Sequence, residues 1–366
     1  MKIDRLVDLI KLGKSVELGY ITTHYHPTLP LTLYNYTQKT KHSRNWTDET
    51  KVCRGLITNN LTLDIVSRPW EKFFDLDSPK VEESKTEYLP SYEPEVTSLL
   101  DGHLGILWRF NDTVGVATRS GFDNPIAQWA TEFFNRKYAA KPWPVNITIM
   151  FELLHKDYPV ILNNNYHGLV LIGGVETETG RSISYEALKQ ISDTTLCPVV
   201  QKMSMTVDQC KEQRQSDHGG YVLTWNPGWN GETLKVRLKH NQYRMYSTLI
   251  ENITEYEVWN ILKYDHKVEA LTPDGCPAKY RNWIWKTVDS LRKRYILTED
   301  LANQVLKLAQ ESVGAEDKKR RSIADIINKY PPVSKIAFAM LDKKPYKDMI
   351  WSSIEPKDSQ KFNPEM

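Results

Sequence analysis

The residues with chemistry to offer stand in short blocks between Cys53 and Tyr243. Arg54 lies in CRGLITN, Lys72 in SRPWEKFFDLD, Arg119 in ATRSGF, and Arg237 and Lys239 in VRLKHNQY. Between these cations come Asp101 and Gly102 in LLDGHLG and Phe151 and Glu152 in MFELLH; VETETGRSISYE and GGYVLTW complete the series. Basic side chains interleaved with carboxylates suit chemistry at phosphorus. The phosphoryl group and its leaving group carry negative charge for cations to meet, and a divalent metal on the phosphates takes oxygen ligands. Competing chemistries find less support. Cys53, Cys197, Cys210 and Cys276 lack metal-ligand spacing, and His24, His26 and His42 have no cysteine partners for a zinc site, so these histidines read as solvated. His103 follows Asp101 and Gly102 and reads as a packing or surface residue. The stretch GGVETETG, Gly173 to Gly180, lacks the Gly-Lys-Ser/Thr ending of a P-loop and reads as strand and turn.

Taken in order, the blocks resemble those of the ATP-dependent RNA ligases of the bacteriophage tRNA-repair type, members of the lysine-adenylating nucleotidyltransferases. The resemblance implies a covalent lysine-AMP intermediate formed from ATP with Mg²⁺, transfer of AMP to a 5′-phosphate RNA end, and sealing to a 3′-hydroxyl. It places Arg54, Lys72, Arg119, Arg237 and Lys239 around the phosphates, Glu152 at the ribose hydroxyls, and Phe151 and Gly102 at the nucleotide pocket.

The chain departs from the family where the chemistry is most demanding. The first motif is usually Lys-x-Asp-Gly, and here Leu99 stands at the lysine position, two residues before Asp101. A lysine attacking phosphorus must be deprotonated near neutral pH. Leucine has no lone pair at all. The fourth motif, commonly Glu-Gly-Tyr-Val, reads Gly219-Gly220-Tyr221-Val222, so the metal-holding carboxylate position is Gly219; Asp217 lies two residues upstream, out of reach without a backbone shift. The fifth, Lys-x-Lys, reads Arg237-x-Lys239 in the register fixed by Tyr243. Arginine keeps the charge but is a poor proton donor. Where relatives carry Asn-Arg-Ile-Val after the glutamate, this chain has Tyr158-Pro159-Val160-Ile161. One engineered substitution would account for Leu99 alone; Leu99, Gly219 and Pro159 together point to natural divergence. Lys80 and Lys85 precede the motif and read as surface charges, whereas Leu99 reads as a core leucine on a buried strand. The expectation is an RNA ligase homologue that binds nucleotide and RNA, single-stranded ends or a tRNA-like molecule, without adenylating itself. The alternative is an active ligase in RNA end repair, sealing pre-adenylated 5′ ends or using a different nucleophile.

The elements that must position these residues follow from periodicity. Apolar positions at Ile3, Leu6, Val7 and Ile10 predict a helix over Ile3 to Leu12, followed by β-rich runs to about Ile65. Leu104 to Phe110 and Thr113 to Ala117 read as a hairpin turning at Asn111-Asp112. Asn124 to Tyr138 reads as a helix, and Ile147 to Leu154 and Leu169 to Glu176 as buried strands. This mixture suits two antiparallel sheets flanking a cleft, and the resemblance implies an α+β nucleotidyltransferase domain over residues 1–244 with the nucleotide in that cleft. A helical C-terminal domain follows over residues 245–366, with helices expected over Tyr246 to Tyr264, Arg281 to Arg294, Glu299 to Val313 and Ile323 to Asn328, Pro273 and Gly275 breaking the first of them apart. The segment EDKKRRS, Glu316 to Ser322, reads as a solvated loop that has the charge to touch RNA phosphates. The 366 residues carry a net charge of only +2, so RNA contact must come from local patches. Most of the 11 tryptophans read as core or interface residues. No apolar run is long enough to span a bilayer and no secretory signal is evident, which suits a cytoplasmic protein.

Overall fold

A computed structural model describes residues 7–79, 81–162, 166–213, 218–226, 233–313, 320–357 and 360–362. Lys80, Asp217 and residues 316–319 of the basic segment lie outside them. The chain divides into two compact units, Met1–Met245 with Pro364–Met366, and Tyr246–Asn363.

Among the described residues, the first unit is built on three sheets rather than the two expected. Strands β1 (Ile21–Tyr25), β2 (Leu31–Tyr36), β3 (Arg54–Asn59) and β4 (Ile65–Ser67) form an antiparallel meander. Strand β5 (Phe74–Asp75) belongs to a five-stranded sheet, β11-β6-β12-β13-β5, with β6 (Glu95–Ser98), β11 (Lys202–Met203), β12 (Gly220–Trp225) and β13 (Leu234–Lys239). Its pairings are antiparallel except β13 with β5. The remaining sheet, β10-β9-β7-β8, comprises β7 (His103–Phe110), β8 (Thr113–Thr118), β9 (Ile147–Leu154) and β10 (Gly168–Glu176).

Local sequence explains these elements. In LKVRLK, Leu234, Val236 and Leu238 are buried while the alternate Lys235, Arg237 and Lys239 share the opposite face, as the two-residue period of a strand requires. The β7–β8 hairpin turns at Asn111, whose φ of 51° an asparagine tolerates. Helix α4 (Pro125–Lys137) starts where Asn124 accepts the Ala127 N–H and proline occupies the first turn. Its Ile126, Ala130 and Phe134 pack on one face of the β7–β10 sheet, against Leu107, Val116, Phe151 and Leu153. Ile106, Trp108 and Ala117 meet Leu31, Leu33 and Ile57 of the meander. The five-stranded sheet has its own core of Val96, Tyr221, Leu223, Trp225, Val236 and Leu238.

Four details depart from the sequence reading. Helix α1 runs Val7–Glu17, five residues beyond the expected end; Ile3 to Leu6 lie outside the described residues. Two short helices, α2 (Gln38–Ser43) and α3 (Asp48–Val52), interrupt the β-rich segment, with Thr37 and Thr47 supplying N-caps. Helices α5 (Tyr185–Thr195) and α6 (Val207–Glu212) follow β10 and β11, and α7 (Asn241–Asn252) leads into the second unit. There, Thr254 caps α8 (Glu255–Lys263), which splits the segment expected to be one helix. The two helices expected between Arg281 and Val313 are instead one, α9 (Ala278–Glu311), because no glycine or proline stands between them. Helices α10 (Arg320–Ile327), α11 (Ser334–Leu341) and α12 (Lys347–Ser353) pack on α9 around Ala302, Val305, Ala309, Ile327 and Ile336. No helix among the described residues is long and apolar enough to cross a membrane.

Candidate functional site

The segment 99–102 leaves β6 of one sheet and enters β7 of another, and the candidate residues gather around it. Leu99 is half-buried, one residue past β6, and belongs to none of the core clusters. This corrects the expectation of a core leucine on a buried strand. Its backbone is paired across to the fourth-motif position: Leu99 N–H donates to Gly220 O, and Gly219 N–H donates to Leu99 O, both at 2.8 Å. The two positions that lack a nucleophile and a metal-binding carboxylate are therefore direct neighbours. Tyr243, from the first turn of α7, covers them. A Cβ on Gly219 would fall 2.9 Å from its ring, and the phenol O–H donates to Asp101 Oδ1 at 2.7 Å.

Asp101 is buried and also accepts N–H bonds from Ile161, at 2.7 Å, and Leu162. Burial lifts its carboxyl above the usual range although these donors favour the ionised form. Burial, then the neighbouring Asp101, raise the Tyr243 phenol well above its ordinary value. Gly102 N–H donates to Glu152 Oε1 at 2.8 Å, and a Cβ on Gly102 would meet Leu153 O at 2.5 Å, so only glycine lets β7 and β9 approach here. Burial pushes Glu152 up to about 8. Phe151 points the other way along β9 and packs its fully buried ring on Phe134 and Trp143. Any support it gives a pocket comes through its packing beneath β9.

The cations form two groups. Arg54 opens β3 with its guanidinium over Phe73 at 5.5 Å; burial, with Arg119 and Arg237 nearby, lowers it to about 10. Its Nη1 is buried without a hydrogen-bond partner. Arg119 follows β8 and donates to Tyr36 Oη at 2.9 Å; it, Arg54, Lys41 and Arg237 lower that phenol against the effect of its burial. In the second group, Asp75 on β5 lies 2.8 Å from Arg237 Nε and 3.4 Å from Lys239 Nζ. Burial alone would raise Asp75, but Arg237, Lys239 and Lys72 outweigh it and hold the carboxyl below its ordinary value. Lys72 lies over Phe74 and Trp46, at 4.5 and 5.6 Å, and donates to Phe73 O at 2.7 Å. Burial and the adjacent Arg237 and Arg54 drive its amine well below the usual lysine range.

Asp75, Tyr36, Phe73, Tyr243 as a site residue, and Lys235 were not among the sequence candidates. Lys235 shares the face of Arg237 and Lys239 and stacks over Trp70 at 4.3 Å, where burial lowers it to about 8. The alternation in LKVRLK was the signal for it. His103 takes the packing alternative, and one histidine reading, that of His26, changes. His103 is buried at the start of β7, with Nε2 3.2 Å from Tyr158 O. His26 packs edge-on against Trp108 and Phe122 and accepts the Thr28 and Leu29 N–H groups, so it locks a turn rather than facing solvent. His24 is half-buried in β1, and His42 is exposed.

An unpaired buried guanidinium nitrogen beside further cations fits a phosphate. Among the described residues, a protein-held Mg²⁺ does not fit: Glu152 favours its neutral form, Asp101 is engaged by three donors, Asp75 is engaged by two cations, and residue 219 has no side chain. Among the described residues, no group of three or more histidine, cysteine or acidic side chains is disposed to hold a metal.

With this geometry in place, the chain can be assigned: it belongs to the RNA ligase family, whose model matches residues 52–244, just over half its length. Among solved structures, it resembles an archaeal ATP-dependent RNA ligase at 13% identity, covering 92% of this chain and 96% of that one with a TM-score of 0.44. A Naegleria gruberi RNA ligase solved with PPi is 16% identical, covering 43% of this chain and 52% of that one with a TM-score of 0.28. The assignment rests on the family match and not on these structures. No curated protein matches the chain.

Proposed function

We propose that this member of the RNA ligase family binds a nucleotide and the phosphate of an RNA end at the cationic site but does not adenylate itself. The observation that carries the reading is the backbone pairing of Leu99 with Gly219 and Gly220 beneath Tyr243. Leucine has no nucleophile to offer, glycine has no carboxylate for a metal, and the tyrosine ring takes up the space beside them. The cations remain, and the unpartnered Arg54 Nη1 favours retention of an anionic ligand. In this reading Arg54 and Arg119 hold a phosphate, Arg237 and Lys239 lie beyond it, and Glu152 in its neutral form donates a hydrogen bond to a ribose hydroxyl. Incubation with ATP and Mg²⁺ followed by intact mass measurement under denaturing conditions is expected to show no covalent AMP, with an active relative as control. Arg119→Ala is expected to weaken nucleotide binding by about tenfold or more, the scale of losing one charge-assisted contact. Unchanged affinity would refute this placement of the pocket.

One observation favours a second reading. Lys72 is held toward its neutral form by burial and two guanidinium groups, the state required for attack on phosphorus. An AMP adduct mapped to Lys72 by digestion would establish an active ligase with a relocated nucleophile and overturn the first reading.

A further inference from the structure

The two cation groups differ in how far their charge is already met. Around Arg54, the neighbours are Tyr36, Arg119, Arg237 and Glu152. Glu152 is held toward its neutral form, and Arg54 Nη1 has no partner, so a buried donor remains available here. Around Arg237 and Lys239 the situation is reversed. Asp75 reaches both, at 2.8 and 3.4 Å, and Lys72 is the third cation acting on it. The carboxylate is fixed there by the parallel pairing of Asp75 with Arg237 and by the Leu76 N–H bond to Arg237 O at 2.7 Å. The contact is an ion pair without hydrogen-bond alignment, since Asp75 Oδ1 and Arg237 Nε are both buried and neither completes a hydrogen bond. It holds the charge balance while leaving Asp75 Oδ1 and Arg237 Nε without a hydrogen bond.

We propose that Asp75 is a built-in counter-anion that takes the place of the outer phosphates among Arg237, Lys239 and Lys72, so that the site selects ligands bearing a single phosphate over those bearing a triphosphate. A monophosphate seated at Arg54 and Arg119 leaves the Asp75 pairs intact. A triphosphate extending toward Arg237 and Lys239 brings its charge against a carboxylate already there, and like charges a few ångströms apart repel strongly away from bulk water. The ligand class is an adenosine 5′-monophosphate group or the 5′-phosphate of an RNA end. The inference deepens the proposed phosphate-binding role and rests on it only for the monophosphate arm, because inorganic tripolyphosphate probes the Asp75 group without any base or ribose.

The test is titration calorimetry of the full chain with AMP, ATP and inorganic tripolyphosphate, for the unaltered protein and for Asp75→Asn, which keeps the shape and removes the charge. The unaltered protein is expected to bind AMP about tenfold more tightly than ATP, and Asp75→Asn to gain about tenfold for ATP and tripolyphosphate with AMP little changed. An unaltered protein that binds ATP as tightly as AMP or more tightly, or an Asp75→Asn protein of unchanged melting temperature with no gain, overturns the proposal. Should Asp75→Asn fail to fold, the AMP-to-ATP comparison on the unaltered protein decides it alone. Tripolyphosphate binding gained by Asp75→Asn without AMP binding to either protein would uphold Asp75 as counter-anion and overturn the nucleotide reading. AMP binding without the gain would do the reverse.

Discussion

Glu152 and Lys72 show how single buried groups tie the site to stability. Glu152 rises from an ordinary 4.5 to about 8, so between those values the folded chain holds a proton that the unfolded chain has released. Stability conferred by this group is complete below the lower value and is lost as pH rises through the higher one, with a slope of up to about 1.4 kcal/mol per pH unit. Urea unfolding between about pH 5 and 8 is expected to show this decline and Glu152→Gln to flatten it. Lys72 is shifted the other way, below its unfolded value, so the unfolded chain binds more protons and stability rises with pH across the window. Lys72→Met is therefore expected to raise stability near neutral pH by about 1 kcal/mol while weakening phosphate binding. The gain should shrink as pH approaches about 10. Coincident losses of stability and affinity would instead show that Lys72 is a structural cation.

At the scale of elements, the decisive contacts join β6, β12 and the first turn of α7. Gly219→Glu would restore a carboxylate at the fourth-motif position, yet its Cβ would lie 2.9 Å from the Tyr243 ring, which also holds Asp101. The substitution is expected to cost about 1 to 3 kcal/mol from overpacking. Adding Tyr243→Ala should recover part of that loss, giving a coupling of about 1 kcal/mol in a double-mutant cycle. Additive effects would show that the ring and residue 219 do not compete for space. Several elements were legible locally. The hairpin through Asn111-Asp112 and the helix after Asn124 have turn and cap chemistry written within a few residues. Helix α9 runs on through the gap between the two expected helices, where the Thr298 hydroxyl bonds back to Arg294 O within the turn.

For the whole molecule, a net charge of +2 leaves little general attraction for RNA. In the proposed reading, affinity comes from the local group of Arg54, Arg119, Arg237 and Lys239, less the charge that Asp75 already balances. About three to four phosphate contacts correspond to a slope near −2 to −3 in a plot of log affinity against log salt for a single strand. A much steeper slope would place RNA on a larger surface than this site. The sequence by itself determined the family, through the order of its blocks. It also showed the kinds of charge among the candidate residues and the strand face of Arg237 and Lys239, because residue types and short periodicities are local properties. Only the tertiary structure decided that Leu99 and Gly219 are paired, that Tyr243 covers them, that Phe151 turns into the helix-packed core and that Asp75 belongs with Arg237. Each of these depends on strand order and on which sheet a connecting segment crosses to. That arrangement is set by the packing of distant apolar faces against one another, which no local pattern encodes.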